Sequence, residues 1–250
     1  MDIIKPLFKI SSMTLISRLL GFFRDILIAA SFGAGEIADA FFIAIKFPNI
    51  FRRILAEGAL NMSFVPLFSK KLSDPDSAKQ FYRDIFNFLF WSLIFIVSIF
   101  ELFMPFLVYL FAPGFLNSSE KFNLVVDLAR ISFPYLFFIS LTSLLCGVLN
   151  SFEKYTLAAS LPILVNLFMI SALLFIFKNN LSNTEIAAKI LMSGFLASGL
   201  IQLLICIYAC QRLGYLPKIS YPKISKNIKD FFRLSFPAIG AGGIIQINIL

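Results

Sequence analysis

The chain has 250 residues, of which 59% are hydrophobic and 14% are charged, whereas ordinary soluble domains are about 45–50% apolar and about 25% charged. This composition excludes intrinsic disorder, fibrous proteins and disulfide scaffolds, and it exceeds the apolar content that a soluble domain of this size can bury. The chain contains no histidine, which removes the commonest general base and metal ligand. We therefore predict an all-α polytopic membrane protein that is not an enzyme and binds no metal or cofactor.

Seven segments are apolar and long enough to cross a bilayer, which takes about 20 residues. In chain order they lie at roughly 10–30, 37–68, 84–112, 124–150, 157–177, 186–210 and 231–250. The predicted domains are a transmembrane lobe of about six helices at 1–215, a basic connector at 216–230 and the start of a seventh helix at 231–250. Because the last segment stops at Leu250 without a flanking charge or loop, we expect the chain to be part of a longer one.

Basic residues of the predicted loops concentrate on one side of the membrane. With the N-terminus inside, eleven lysines and arginines lie on the cytoplasmic face, and only Lys121 and Lys178 lie on the other. Cytoplasmic loops collect lysine and arginine, so the N-terminus is predicted to be cytoplasmic. The net charge of +8 is therefore assigned to topology and to contact with membrane lipids, and no nucleic-acid partner is expected. The 32 phenylalanines are expected to face lipid.

Eight charged side chains lie inside the first two apolar segments. A charge at the bilayer centre costs about 2.5–3.5 kcal/mol even on the most lenient scale, so these residues are expected to face a water-filled or protein-lined cavity. Such a cavity indicates a functional site. The eight residues are Arg18, Arg24, Asp25, Asp39, Lys46, Arg52, Arg53 and Glu57.

In the first segment, Ser17, Gly21 and Arg24 fall on one helix face at i, i+4 and i+7. Gly21 would let another backbone or a ligand come close to this face. Asp25 follows Arg24 directly and can neutralise it. A second interpretation is that Arg18 and Arg24 extend toward opposite membrane interfaces, although their depth in the segment disfavours it.

In the second segment, Pro48 is expected to kink the helix and to free the carbonyl group of Ala44 from its helical hydrogen bond. Arg53 and Glu57 are spaced to form an ion pair, which leaves Arg52 on another face for a ligand. Asp39 has two open interpretations, a site residue or a residue favoured by the helix dipole near the helix start. A charged stripe runs along this helix, with Asn49 beside it; its members are Asp39, Lys46, Arg53 and Glu57.

The predicted cavity is rich in arginine, which keeps its charge when buried and binds phosphate oxygens through a two-pronged guanidinium. The expected ligand is therefore anionic, with phosphate or pyrophosphate the best match. A lipid-linked ligand could reach the cavity sideways while its tail stays in the bilayer.

Short motifs in the first part of the chain carry a family resemblance. They are SRLLGFFRD at 17–25, FGAG at 32–35, ADAFF at 38–42, FPN at 47–49, RR at 52–53, AEGA at 56–59 and FVP at 64–66. This pattern resembles the opening signature of the MurJ (MviN) lipid II flippases of the bacterial cell wall pathway. Weaker matches follow at 112–115, 149–150 and 237–239.

The resemblance implies a transporter fold with two six-helix lobes around a central cavity, of which this chain supplies the first lobe and a seventh helix. It implies lipid II as substrate, an inner-membrane location and transport by alternating access, with no cofactor. The residues implied to line the substrate-binding cavity are Arg18, Arg24, Arg52, Asp39 and Asn49, of which the three arginines are implied to hold the lipid diphosphate. Those implied to gate or support the cavity are Ser17, Gly21, Asp25, Arg53, Glu57 and Pro48.

Two alternatives to lipid II transport remain open from the sequence. The first is export of another polyprenyl-linked glycan by the same fold. The second is a truncated fragment of a flippase that does not transport. Because the second lobe is missing, a separate second lobe or a second copy of the chain is an expected partner.

Overall fold

A computed structural model describes residues 4–53, 59–115, 118–222 and 224–247. In these ranges the chain is α-helical and contains no β-strand, which confirms the all-α prediction. The helices are α1 (Ile4–Phe32), α2 (Glu36–Arg52), α3 (Ala59–Lys71), α4 (Pro75–Leu102), α5 (Met104–Phe111), α6 (Ser119–Ser132), α7 (Tyr135–Ser151), α8 (Tyr155–Lys178), α9 (Glu185–Arg212) and α10 (Lys226–Ile247).

Four stretches in the described ranges are helical, long and apolar enough to cross a membrane. They are Pro75–Leu102, Ser119–Ser151, Tyr155–Lys178 and Glu185–Arg212. Helix α1 has 29 residues, which is also a sufficient length, but Arg18, Arg24 and Asp25 lower its apolar character. The protein is therefore a multi-pass membrane protein, while the count of six helices plus a seventh stays a prediction.

Several segments predicted as single spans are divided in the structure. The segment 84–112 is split between α4 and α5, and 124–150 is split between α6 and α7. Pro105 and Pro134 lie at these two divisions, where proline cannot donate a backbone hydrogen bond and clashes with the preceding turn. The segment 37–68 contributes to α2 and α3, and residues 54–58 between them lie outside the described ranges.

Helix ends follow local signals that the sequence contains. Gly33 ends α1 and Gly214 ends α9, each with a positive φ (60° and 84°) that costs glycine little. Asp74 precedes α4 and accepts hydrogen bonds from the backbone N–H groups of residues 76 and 77 at 3.2 and 3.4 Å. Thr184 caps α9 by accepting from the N–H of Ala187 at 3.1 Å.

The chain folds into two compact units that interleave along the sequence. Unit 1 comprises Met1–Pro48, Ser98–Tyr135 and Ala159–Leu200, and unit 2 comprises Asn49–Val97, Leu136–Ala158 and Ile201–Leu250. The predicted division into a lobe, a connector and a seventh helix remains a prediction.

In unit 1, the carbonyl group freed by Pro48 receives a new partner. The Ser132 hydroxyl on α6 donates a hydrogen bond to the Ala44 carbonyl oxygen at 3.1 Å, and both residues are buried. A buried carbonyl without a partner is unfavourable, so Ser132 stabilises a proline-containing α2. Ion pairs between Lys121 and Glu36 (2.7 Å) and between Lys189 and Asp127 (2.8 Å) add contacts between helices of this unit.

In unit 2, aromatic rings form the core. Phe64 stacks on Phe68 and Phe81 with ring centroids 5.1 and 5.6 Å apart, and Tyr215 meets Phe68 edge to face at 5.3 Å. The expectation that the phenylalanines face lipid is wrong for these three, which are at most 1% exposed. Gly147 of α7 allows a close approach, because a Cβ there would lie 2.9 Å from the Phe64 ring.

Candidate functional site

A polar cluster in unit 1 joins α1 to α8. The Arg24 guanidinium donates through Nη1 to the Asn166 side-chain oxygen at 2.9 Å, and through Nε and Nη2 to the Asp25 carboxylate at 2.9 and 2.7 Å. Asn166 in turn donates to the backbone carbonyl oxygen of Ser17 at 2.8 Å. The cluster brings together three of the residues that the sequence singled out: Ser17, Arg24 and Asp25.

Asn166 is the member that the sequence analysis missed. It is only 5% exposed, and it is the single amide side chain in the apolar helix α8. Burying an unpaired amide costs about 1–3 kcal/mol in proteins, so an amide inside an apolar span is itself a signal of a partner. That signal was available in the sequence, but it does not identify which helix carries the partner.

Gly21 lies beside this cluster, and its close neighbour is the Asn166 amide. A Cβ added at Gly21 would lie 3.7 Å from both the oxygen and the nitrogen of that amide, which is ordinary contact distance. The sequence predicted that a backbone or a ligand would come close at Gly21. In the described part of the chain, a side chain from α8 takes that place.

The Arg24 side chain is positioned and still has donors to offer. A guanidinium carries five N–H donors, and Asp25 and Asn166 use three of them within the described residues. Two donors therefore remain for an incoming acceptor. The Arg24 side chain is 25% exposed and the Asp25 side chain 62% exposed, so an anion with several oxygens can approach this pair.

The other predicted site residues of α1 and the first part of α2 also belong to unit 1. Arg18 on α1 and Asp39 on α2 have exposed side chains, and Pro48 is buried. The exposed charges are accessible to a ligand, while Pro48 acts through the α2 backbone and its contact with α6 described above.

The remaining predicted residues belong to unit 2. Asn49 and Arg52 are half-buried at the end of α2, and Arg53 is exposed. Glu57 lies outside the described residues, so the predicted Arg53–Glu57 ion pair stays a prediction.

The three cysteines are buried in unit 2 and are not joined by disulfide bonds. The Sγ atoms of Cys146 and Cys206 lie 3.9 Å apart, and Cys210 donates weakly to the Leu145 carbonyl oxygen at 3.6 Å. Within the described ranges, histidine, cysteine and acidic side chains form no group of three that could hold a metal ion. The cysteines therefore pack as small apolar residues.

The sequence of this chain matches one family of known proteins. The profile of the family described as lipid II flippase MurJ matches residues 28–250. A probable lipid II flippase MurJ of Rhizobium tropici is 40% identical over 253 residues, covering 100% of this chain and 47% of that protein. The lipid II flippase MurJ of Burkholderia cenocepacia is 30% identical and covers 100% of this chain and 49% of that protein.

Solved structures also match this chain in fold. A structure of lipid II flippase MurJ in an inward closed conformation superposes with a TM-score of 0.78 at 29% identity, covering 96% of this chain and 48% of that one. The Vibrio cholerae MATE transporter VcmN in its bent form has a TM-score of 0.72 at 15% identity, covering 97% of this chain and 54% of that one, and shows the fold alone. The chain spans about half the length of the curated relatives that it matches. On its sequence and its fold, the chain belongs to the lipid II flippase MurJ family.

Proposed function

We propose that this chain forms the first lobe of a lipid II flippase and binds the lipid diphosphate through Arg18, Arg24 and Arg52. The observation that carries the proposal is the positioned guanidinium of Arg24, which is held by Asp25 and Asn166 and has two further N–H donors that no described residue uses. Family membership supports lipid II as the substrate, because the relatives are named lipid II flippases.

Arg24 suits a diphosphate for three physical reasons. Its charge persists in a partly buried site. Its planar donors match pairs of phosphate oxygens. Because Asp25 and Asn166 already restrict its side chain, less conformational entropy is lost when a ligand binds. In the proposal, Asp25 offsets the cost of an unliganded cation, and the incoming diphosphate interacts with Arg18 and Arg52 as well.

In this proposal the protein lies in the bacterial inner membrane with its N-terminus in the cytoplasm, and it transports its substrate by alternating access. The arginines hold the diphosphate while the lobes reorient around it, and the lipid tail stays in the bilayer. Asn49 and Asp39 contact the polar part of the substrate in this scheme, and Arg53 with Glu57 supports the α2 end. Completion of the cavity needs a second lobe, either a separate one or a second copy of the chain.

The test uses cells depleted of their own flippase that express this chain joined to the second half of the Burkholderia cenocepacia relative. Lipid II at the outer surface is measured with a membrane-impermeant peptide that binds it. We expect exposure of lipid II with the unmodified fusion and its loss in Arg18→Ala, Arg24→Ala and Arg52→Ala, each at normal membrane levels. Lys178→Ala, which removes an exposed charge of α8, is the matched control and should transport normally.

Normal transport by all three arginine variants would overturn the diphosphate site. If the fusion inserts but exposes another polyprenyl-linked glycan in preference to lipid II, the substrate assignment fails while the exporter fold stands. A fusion that inserts and moves no lipid-linked glycan would favour a fragment that does not transport.

A further inference from the structure

A cavity in unit 2 is lined by three cations from two segments of the chain. Its volume is about 140 Å³, well above the roughly 10–15 Å³ that a single water molecule requires. Lys79 and Arg83 line it from one face of α4, at i and i+4, and Lys218 lines it from the connector. All three side chains are exposed, so the cavity is open to solvent and a ligand can enter.

Two tyrosines, Tyr82 and Tyr215, also line the cavity. Tyr82 is 1% exposed, and its hydroxyl has no hydrogen-bond partner among the described residues. A buried hydroxyl is unfavourable until it finds an acceptor, so an acceptor oxygen that reached the Tyr82 hydroxyl from the cavity would be stabilised. Burial raises the pKa of the Tyr215 phenol, which keeps that group neutral and adds no negative charge to the cavity.

The third cation is placed by a buried asparagine. The Asn87 side chain of α4 donates to the carbonyl oxygens of Arg83 and Lys218 at 2.8 and 3.1 Å, and it accepts from the N–H of Ser220 at 2.6 Å. Asn87 is 3% exposed. These bonds hold the Lys218 backbone beside α4, so the cavity is built before any ligand arrives.

The carboxylate of the neighbouring Asp84 is hydrogen-bonded to other side chains. Asp84 accepts from the Ser225 hydroxyl at 2.6 Å, from the Asn227 amide at 2.7 Å and from the Gln80 amide at 2.7 Å. It does not line the cavity. The residues that line the cavity therefore include three cations and no acidic side chain.

We propose that this cavity is a binding site for a phosphate group, held by Lys79, Arg83 and Lys218 with a hydrogen bond from the Tyr82 hydroxyl. Phosphate is favoured because it accepts several hydrogen bonds at once and interacts with lysine and arginine together. The group comes either from an anionic lipid headgroup or from a soluble phosphate. The site shares no residue with the proposed diphosphate site, so either proposal can fail without the other.

The test uses the full 250-residue chain in maltoside micelles, which contain no phosphate. In one arm, inorganic phosphate is titrated and binding is measured by calorimetry. In the other arm, phosphatidylglycerol is added and retained lipid is counted by native mass spectrometry. The variants are Tyr82→Phe, which removes only the hydroxyl, and the double variant Lys79→Gln/Arg83→Gln. The control, Lys154→Gln/Lys178→Gln, removes the same charge from exposed positions outside the cavity.

We expect the unmodified chain and the control to bind alike. Tyr82→Phe should weaken binding by about tenfold, as expected for one hydrogen bond to a charged group. The free energy of unfolding should not fall, because the hydroxyl has no partner in the described part of the chain. The double variant should weaken binding by more than about tenfold. Binding in the calorimetric arm identifies a soluble phosphate, and binding in the lipid arm alone identifies a headgroup. No binding in either arm, or equal binding by the double variant and the control, would overturn the site.

Discussion

Replacing Asn166 by leucine removes the amide that joins α1 to α8 and keeps most of the side-chain volume. The change deletes one hydrogen bond to the charged Arg24 guanidinium (2.9 Å) and one to the Ser17 carbonyl oxygen (2.8 Å). It also leaves an Arg24 N–H without its acceptor. The free energy of unfolding should therefore fall, and Arg24 should become less well positioned for a ligand.

The expected coupling energy between Arg24 and Asn166 follows from comparing hydrogen-bond energies in soluble proteins with those inside membranes. A hydrogen bond to a charged group contributes about 1.5–3 kcal/mol in soluble proteins, whereas side-chain hydrogen bonds inside membranes average about 0.6 kcal/mol and reach about 1.7 kcal/mol. Arg24 is charged, but its side chain is 25% exposed. We therefore expect a coupling energy between Arg24 and Asn166 of about 1–1.5 kcal/mol, between the two scales.

A double-mutant cycle measures this coupling. Reversible unfolding in mixed micelles is followed for the unmodified chain, Asn166→Leu, Arg24→Met and the double variant. The matched control pairs Arg24→Met with Asn179→Leu, since Asn179 lies directly after α8 and its exposed amide donates to the Phe175 carbonyl oxygen. We expect additive effects for the control pair. A coupling between Arg24 and Asn166 below a few tenths of a kcal/mol, within ordinary additivity error, would refute the reasoning.

Three further changes test other contacts, the two glycine changes by the same unfolding assay and the third by hydrogen exchange. Gly21→Ala should be tolerated, because its Cβ would lie 3.7 Å from the Asn166 amide, whereas Gly21→Leu should destabilise the α1–α8 contact; equal stability of both would contradict the packing. Gly147→Ala should lower the free energy of unfolding by about 1–3 kcal/mol, since its Cβ would lie 2.9 Å from the Phe64 ring. An unchanged free energy of unfolding would argue against this close contact between Gly147 and Phe64. Asp84→Ala removes the acceptor for the Ser225 and Asn227 side chains at the start of α10 and should speed hydrogen exchange there. Unchanged exchange would show that these two hydrogen bonds do not stabilise the start of α10.

Two features of the candidate site follow from the sequence because they depend on local spacing. Arg24 and Asp25 are adjacent in sequence, and their predicted neutralisation appears as an ion pair at 2.7 Å. The freed Ala44 carbonyl followed from Pro48 alone, since proline removes a defined backbone hydrogen bond. These inferences needed no knowledge of which helices are neighbours.

The partners that complete those features come from distant parts of the chain. Ser132 satisfies the Ala44 carbonyl and Asn166 holds Arg24, and neither follows from helical periodicity, because each lies in a different helix. The phenylalanines show the same limit, since an apolar ring suits lipid and a protein core equally well. Only packing decides that Phe64 and Phe68 are buried.

Direct binding of lipid II is the measurement that tests the proposed arginine site most sharply. The chain in micelles is mixed with lipid II, and retained substrate is quantified by native mass spectrometry. The triple variant Arg18→Gln/Arg24→Gln/Arg52→Gln is made in the Lys79→Gln/Arg83→Gln background (the cavity variant) and compared with that background alone, so that lipid held at the proposed phosphate cavity contributes to neither measurement. The account predicts that the unmodified chain and the cavity variant retain lipid II and that the triple variant loses it. Retention of lipid II by the folded triple variant at the level of the cavity variant would contradict the account.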